Sequence, residues 1–294
     1  MATAEDPPTL ITAPYYLPPP DGTRAYKNIN DRTDHNYIRH NVTVGIENIR
    51  GKEHQYLLDK AGFQYFRHTS KHTAFGCDDD VIQEYYPESE ELYKKLTGAT
   101  KVFIFDHTIR RHHPGDTEES PMKRQPVFNV HIDQTPAAAR ARVFRHLPES
   151  EARELVKHRF QILNLWRPID NPALDTPLGF IDSSTVDENI DLFPMTLKFP
   201  GGPGETYAVK WNARHKWVYL RGMTPEEVVI FKWYGALLFV IYWIDLSLRY
   251  SFDSTKDEAK VTFNAHSSFV DPNTPKGSPL RQSIELRALV FYDE

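Results

Sequence analysis

Asn129-Val130-His131-Ile132-Asp133 sets an imidazole and a carboxylate two residues apart in a segment that reads as a strand. Alternate side chains of a strand leave on the same face, so His131 and Asp133 can point at one ion. Alone, such a triplet is usually a chance polar pair. It gains weight from what lies downstream. His266 stands in Asn264-Ala-His266-Ser-Ser-Phe269, near the end of another strand-like stretch. Arg281-Gln-Ser283 then opens a final β-rich run to Phe291, with Arg281 and Ser283 on one face. Two imidazoles and one carboxylate on one side of a metal leave positions open for a cosubstrate and O2, the ligand pattern of non-haem iron(II) oxygenases. A guanidinium binds a carboxylate bidentately, and a neighbouring hydroxyl adds one more hydrogen bond. The distal carboxylate of 2-oxoglutarate needs that pairing. Singly, His266 reads as a satisfied core or loop histidine and Arg281 as half of a surface ion pair. The ordered set is much harder to obtain by accident.

The surroundings of these motifs predict an α+β chain. Residues 78–97 read as helical, with Asp78 to Asp80 as caps, Pro87 as a break and Gly98 as the stop. Lys101–Arg110 and Phe128–Ile132 read as strands, and 136–147 and 148–158 as helices. Strand signals then dominate: 160–166, 178–181, 195–199, 207–211, 217–220, 228–232, 260–263 and 283–291. Many short strands after a helical section indicate a β-sandwich or barrel flanked by helices. Residues 1–24 carry Pro7, Pro8, Pro14, Pro18, Pro19 and Pro20 and are expected to be an extended arm, with 25–294 as a single domain.

Composition excludes several classes of function. The chain has 294 residues, of which 26% are charged, with a formal net charge of −5. No nucleic-acid footprint is expected, since that needs a basic patch or stripe. Arg110-Arg111-His112-His113 is followed closely by Asp116, Glu118 and Glu119 and reads as a solvated loop, although His107, Arg110 and Arg111 end a strand that could reach a cleft mouth. The single cysteine, Cys77, allows no internal disulfide and fits a reducing, cytoplasmic setting. The N-terminus has no signal-peptide pattern, and the longest apolar run, Gly235 to Ile244, is too short to span a membrane. No Gly-x-Ser-x-Gly elbow is present, and the acids beside Cys77 disfavour a thiolate, so a hydrolase reading is weak.

Several stretches resemble a mostly fungal family of hydroxylase/desaturase proteins among the double-stranded β-helix oxygenases dependent on iron(II) and 2-oxoglutarate. It includes gibberellin desaturase-like, aspergillic-acid hydroxylase-like and cephalosporin methoxylase-related members. The stretches are Asn48-Ile-Arg-Gly51, Phe105-Asp-His-Thr-Ile-Arg-Arg111, Val130-His-Ile-Asp-Gln-Thr135, Asn164-Leu-Trp-Arg-Pro168, His266-Ser-Ser-Phe-Val-Asp-Pro272 and Arg281-Gln-Ser-Ile-Glu-Leu-Arg-Ala-Leu-Val-Phe291. The resemblance implies a jelly-roll or cupin-like core. It implies iron(II) held by His131, Asp133 and His266, and 2-oxoglutarate anchored by Arg281 with Ser283 beside it. The implied activity is hydroxylation or desaturation of an unactivated C–H bond of a small molecule, with O2 consumed, in secondary metabolism. A binding or scaffold protein with a degenerate site on the same fold is the alternative.

Other residues are weighed from their positions. Arg287 shares Arg281's strand face and can support the cosubstrate or pair with Glu285. Arg167 could meet a carboxylate or form an ion pair. Asn129 shares a face with His131 and could line the pocket, as could His107. His215 is expected at the surface, in a turn between strands. The apolar segment Gly235–Arg249 reads as a buried strand, an added helix or translated intron sequence, and it is expected to be dispensable for the iron fold.

Overall fold

The computed structural model describes residues 7–31, 33–115, 124–236 and 261–293. Its strands, numbered in chain order, fall into two sheets. The larger runs in spatial order β1 (Thr9–Leu17), β3 (Ile38–Asn48), β11 (Trp217–Tyr219), β8 (Leu178–Ile181), β13 (His266–Ser268), β6 (His131–Ile132), β10 (Gly202–Val209), β9 (Leu192–Phe199) and β2 (Ala25–Asn28). The smaller runs β4 (Phe63–Arg67), β12 (Glu227–Ala236), β7 (Phe160–Pro168), β14 (Gln282–Phe291) and β5 (Lys101–Arg111). All neighbours pair antiparallel except β11 with β3 and β2 with β9. This is the expected α+β architecture, a double-stranded β-helix core with flanking helices.

Alternation decides which side chains fill the sandwich. Phe63, Trp166 and Phe231 of the smaller sheet face Phe180 of the larger one. Phe180 stacks on Phe63 with centroids 4.7 Å apart and meets Phe231 at 5.2 Å. The opposite face of the smaller sheet, with Leu163, Leu165, Ile284 and Leu286, is covered by helix α1 (Tyr86–Thr97) through Leu92 and Tyr93. Burying each such side chain contributes roughly 1.5–3 kcal/mol. Helices α2 (Pro136–His146) and α3 (Glu149–Leu155) pack over Phe160, Ile162 and Leu289.

Several expectations are corrected here. Pro87 does not break its helix. A turn at Asp78–Asp80 and a π-turn at Val81–Tyr85 run directly into α1, where Pro87 takes a first-turn position that needs no N–H partner. Gly98 ends it in the left-handed region, as expected. Residues 261–265 form no strand. Four strands within 9–67 (β1 to β4) add to those expected.

The expected arm is largely β1, paired along its whole length with β3 and burying Ile11, Ala13 and Tyr15. The one proline inside β1, Pro14, is tolerated because β1 is an edge strand, and the others lie outside it. His215 is buried, not at the surface. Trp217 Nε1 donates to Tyr15 Oη at 2.8 Å, Tyr15 Oη lies 3.1 Å from His215 Nδ1, and His215 Nε2 lies 3.2 Å from Asp191 Oδ2. Each group is satisfied if the imidazole is neutral, accepts at Nδ1 from the phenol and donates at Nε2 to the carboxylate. Burial is the main cause holding the His215 pKa below its ordinary value, against the pull of Asp191.

β12 runs on to Ala236, pairing Gly235 with Gln161 and Ala236 with Phe160. The first two residues of the segment expected to be dispensable are therefore ladder residues, and 237–249 lie outside the described residues.

Tyr15→Phe removes a hydroxyl that serves two buried partners at once. It is expected to destabilise the chain by about 1–3 kcal/mol in denaturant unfolding. A change within experimental error would show that the chain of bonds does not hold β1.

Candidate metal centre

β6 and β13 are short, yet they meet in register so that His131 lies directly opposite His266. Asp133 follows β6 on the same side. The candidate ligand atoms of His131, Asp133 and His266 all lie within 4.8 Å of one another. His131 Nε2 is 3.3 Å from Asp133 Oδ1, and His266 Nε2 is 3.8 Å from Asp133 Oδ2. Each imidazole is held from behind: His131 Nδ1 sits 2.7 Å from Asn129 O, and His266 Nδ1 3.3 Å from Asn264 O. A carbonyl only accepts, so Nδ1 carries the proton and Nε2 offers its lone pair to the shared centre. Asn164 of β7 donates from Nδ2 to Asp133 Oδ2 at 3.2 Å, which fixes the carboxylate from the other sheet.

The protonation states suit a cation. Burial opposes the charge on Asp133. The neighbouring His131, His266 and Arg287 outweigh it, so the carboxyl stays well below the usual carboxylate range. Burial, helped by His131, pushes His266 down to about 4. At neutral pH the set is one carboxylate with a neutral His266 imidazole, the forms in which these side chains ligate a metal.

Beside the triad, Arg281 lies 1% exposed over the Trp166 ring. Its Nη1 donates to Thr176 O at 2.7 Å and to Ser268 Oγ at 2.9 Å. Its Nε and the Oγ of Ser283 are buried and have no hydrogen-bond partner among the described residues. Arg281 lines the cleft, and Ser283 lies on the face of β14 that Glu285 and Arg287 present to it; two orphaned donors so placed are what an incoming carboxylate would satisfy. Burial, reinforced by Arg110, lowers the Arg281 pKa to about 9, with Asp175 and Glu285 pulling the other way. Arg281 therefore stays cationic at neutral pH. Asp175 sits behind it, accepting from the Arg281 backbone N–H at 2.7 Å and hydrogen-bonded to His112.

The remaining expected residues divide. Arg287 lines the cleft but is committed to Glu285 at 2.7 Å and Asp106 at 2.6 Å, the ion-pair option of the two considered. Arg167 does not join the site. It lies on the opposite face of β7 from Asn164 and Trp166, over the Tyr85 ring, with Nη1 on His68 O and Pro225 O. His107 also faces the helical side, between Tyr86 Oη at 2.9 Å and Asp78 at 3.3 Å. Asn129 contributes its backbone carbonyl behind His131. Arg110, weighed between a solvated loop and a strand end near a cleft mouth, lies at the end of β5 and lines the cleft. Asn164, Trp166, Asp175 and Ser268 escaped the sequence reading. The alternation of β7 could have separated Asn164 and Trp166 from Arg167, and no local signal marks Asp175.

Several known proteins are similar to this chain. A family model described as an oxidoreductase/YMDC permease-like domain matches residues 13–237 and 246–291, breaking off inside the apolar segment. A hydroxylase/desaturase of Cercospora beticola is 34% identical over 86% of this chain and 77% of its own length. A hydroxylase/desaturase of Penicillium oxalicum is 31% identical over 94% of this chain and 85% of its own. An alpha-ketoglutarate-dependent dioxygenase of a fungal species is 31% identical over 95% of this chain and 94% of its own. The solved structure of an iron and alpha-ketoglutarate-dependent endoperoxidase superposes with a TM-score of 0.79 at 24% identity, covering 97% of this chain and 98% of that one, and shares the fold.

Asp175→Asn keeps the shape but removes the charge behind Arg281. The lost charge-assisted hydrogen bonds are expected to cost about 1.5–3 kcal/mol in unfolding free energy. A variant as stable as the parent would show that Asp175 does not support this wall of the cleft.

Proposed function

The chain belongs to the family of fungal hydroxylase/desaturases and alpha-ketoglutarate-dependent dioxygenases, and on that premise we propose that His131, Asp133 and His266 hold its iron(II) and that Arg281, with Ser283, anchors 2-oxoglutarate. It is an iron(II)/2-oxoglutarate-dependent oxygenase acting with O2 on a small molecule of secondary metabolism. Held there, iron(II) and 2-oxoglutarate would let O2 act as the oxidant: one oxygen atom would go to succinate as CO2 leaves, and the other would appear in an alcohol, or in water when an alkene forms.

The protein's part is positioning. Asn129 O and Asn264 O set the two ring orientations, and Asn164 restrains the carboxylate. Arg281 in the cleft and Ser283 on the adjoining strand face each keep an unsatisfied polar atom, which would orient the cosubstrate towards the metal. Phe180 and Phe231 pack against His266 and exclude water from that side. The observation that carries the reading is the convergence of the three ligand atoms within 4.8 Å in one cleft with Arg281. A scaffold with a degenerate site would break this set, and the described residues carry it whole. Residues 9–293 are proposed to act as one oxygenase domain. Among the described residues no helix is long and apolar enough to cross a membrane; a cytoplasmic location is part of this proposal.

Anaerobic titration is expected to give one iron(II) per chain in the parent and none in His131→Ala or His266→Ala. Undiminished binding in both variants would sink the metal assignment. Arg281→Ala is expected to keep iron and weaken 2-oxoglutarate binding by the about 3–5 kcal/mol lost when a buried charge pair is broken. Uncoupled conversion of 2-oxoglutarate to succinate, dependent on iron(II), separates enzyme from scaffold without the substrate being known.

A further inference from the structure

Arg281 has a neighbour of the same charge. Arg110 stands on β5 directly across from Ser283 on β14, and cross-strand partners share a face. Both arginines line the cleft that holds the triad. A bulge in β5 creates this placement. The pairing of β5 with β14 skips Phe105 between Asp106 and Ile104. Val102 and Ile104 before the bulge face the helix-covered core, as does Ile109 after it. The extra residue turns Thr108 and Arg110 towards the cleft, which is how bulges re-aim side chains.

We propose that Arg110 is a second guanidinium of the carboxylate site opened by Arg281, so that the distal carboxylate of 2-oxoglutarate is gripped from β5 as well as from the start of β14. The proposal rests on the reading of Arg281 as anchor. Three observations carry it beyond that reading. Arg110 makes one hydrogen bond, from Nη1 to Gln125 O at 2.8 Å, and no ion pair among the described residues. The acids nearby are taken: Glu285 and Asp106 by Arg287, and Asp175 by His112 and the Arg281 backbone. Burial dominates at Arg110 and, with Arg287 and Arg124, lowers its pKa against the pull of Glu285 and Asp133, while burial and Arg110 lower that of Arg281. A buried guanidinium destabilised by its cationic neighbour, beside two orphaned donors, forms a site short of an anion. A carboxylate between the two arginines relieves the repulsion and satisfies Arg281 Nε and Ser283 Oγ together.

The test compares 2-oxoglutarate with 2-oxovalerate, which has the same carbon chain and lacks the distal carboxylate. Each is titrated calorimetrically into anaerobic iron(II)-loaded parent, Arg110→Gln, Arg110→Lys and Arg281→Gln. Arg110→Gln is expected to bind 2-oxoglutarate roughly ten- to a hundredfold more weakly, the loss of one charge-assisted bond, and to bind 2-oxovalerate like the parent. Arg110→Lys should recover part of the difference, and it carries the same comparison if the glutamine variant does not fold. Unchanged 2-oxoglutarate affinity in the Arg110 variants, with affinity lost in Arg281→Gln, overturns the proposal and leaves Arg110 to meet an acidic substrate. Equal losses for both ligands also overturn it, since the effect then does not run through the distal carboxylate. If Arg281→Gln too binds 2-oxoglutarate like the parent, the underlying anchor assignment has failed instead.

Discussion

The pairing of β6 with β13 is one bridge wide, His131 against His266, and the metal centre depends on it. Side chains alternate with period two, so a slip of one residue in either strand would turn one imidazole to the other face. Strands of two and three residues cannot hold a register by themselves. Their neighbours do it. β10 clamps β6 through Tyr207 opposite Ile132 and Ala208 opposite His131, and β8 clamps β13 through Phe180 opposite His266. Phe180 in turn is stacked between the sheets on Phe63. The sandwich core thus sets the ligand geometry, and changes at Phe63 or Phe180 would reach the metal through register, without touching it.

Charge in the cleft is arranged with similar economy. Arg287 lies between Glu285 and Asp106, whose charges hold it above its ordinary pKa despite burial. Its guanidinium is fully engaged and serves as structure. Arg281 keeps its backbone N–H and Nη1 occupied and its Nε open. Buried charge costs least when paired, so an arginine left partly unpaired beside a cleft is a binding group held ready. Arg281, just before β14, and Arg287 within it line the same cleft and differ in whether a carboxylate side chain of the chain itself holds the guanidinium.

Much of this was legible in the sequence. His131, Asp133, His266, Arg281 and Ser283 stand out because their chemistry repeats at strand spacing; the first four line one cleft, and Ser283 lies on the strand face that carries Glu285 and Arg287. Where the reading failed, the cause was tertiary. β1 was hidden by the prolines in and around it, and an edge strand accommodates Pro14 without losing ladder bonds. His215 looked exposed because its turn is polar, yet Asp191 and Tyr15 satisfy it in the interior. Arg167 draws attention by its charge and Asn164 does not, although alternation along β7 puts Asn164 on the metal's side and Arg167 under the helices.

The bulge at Phe105 marks the limit of such reading most sharply. Uninterrupted alternation from Val102 and Ile104 would send Asp106, Thr108 and Arg110 into the layer beneath α1 and turn the apolar Ile109 towards the cleft. That conflict was present in the sequence of Lys101–Arg111, and only a change of phase inside the strand resolves it. The bulge resolves it by giving the core its Val102, Ile104 and Ile109 and giving the cleft its arginine. A strand whose apolar residues change parity halfway is therefore a place to look for a side chain re-aimed at a site.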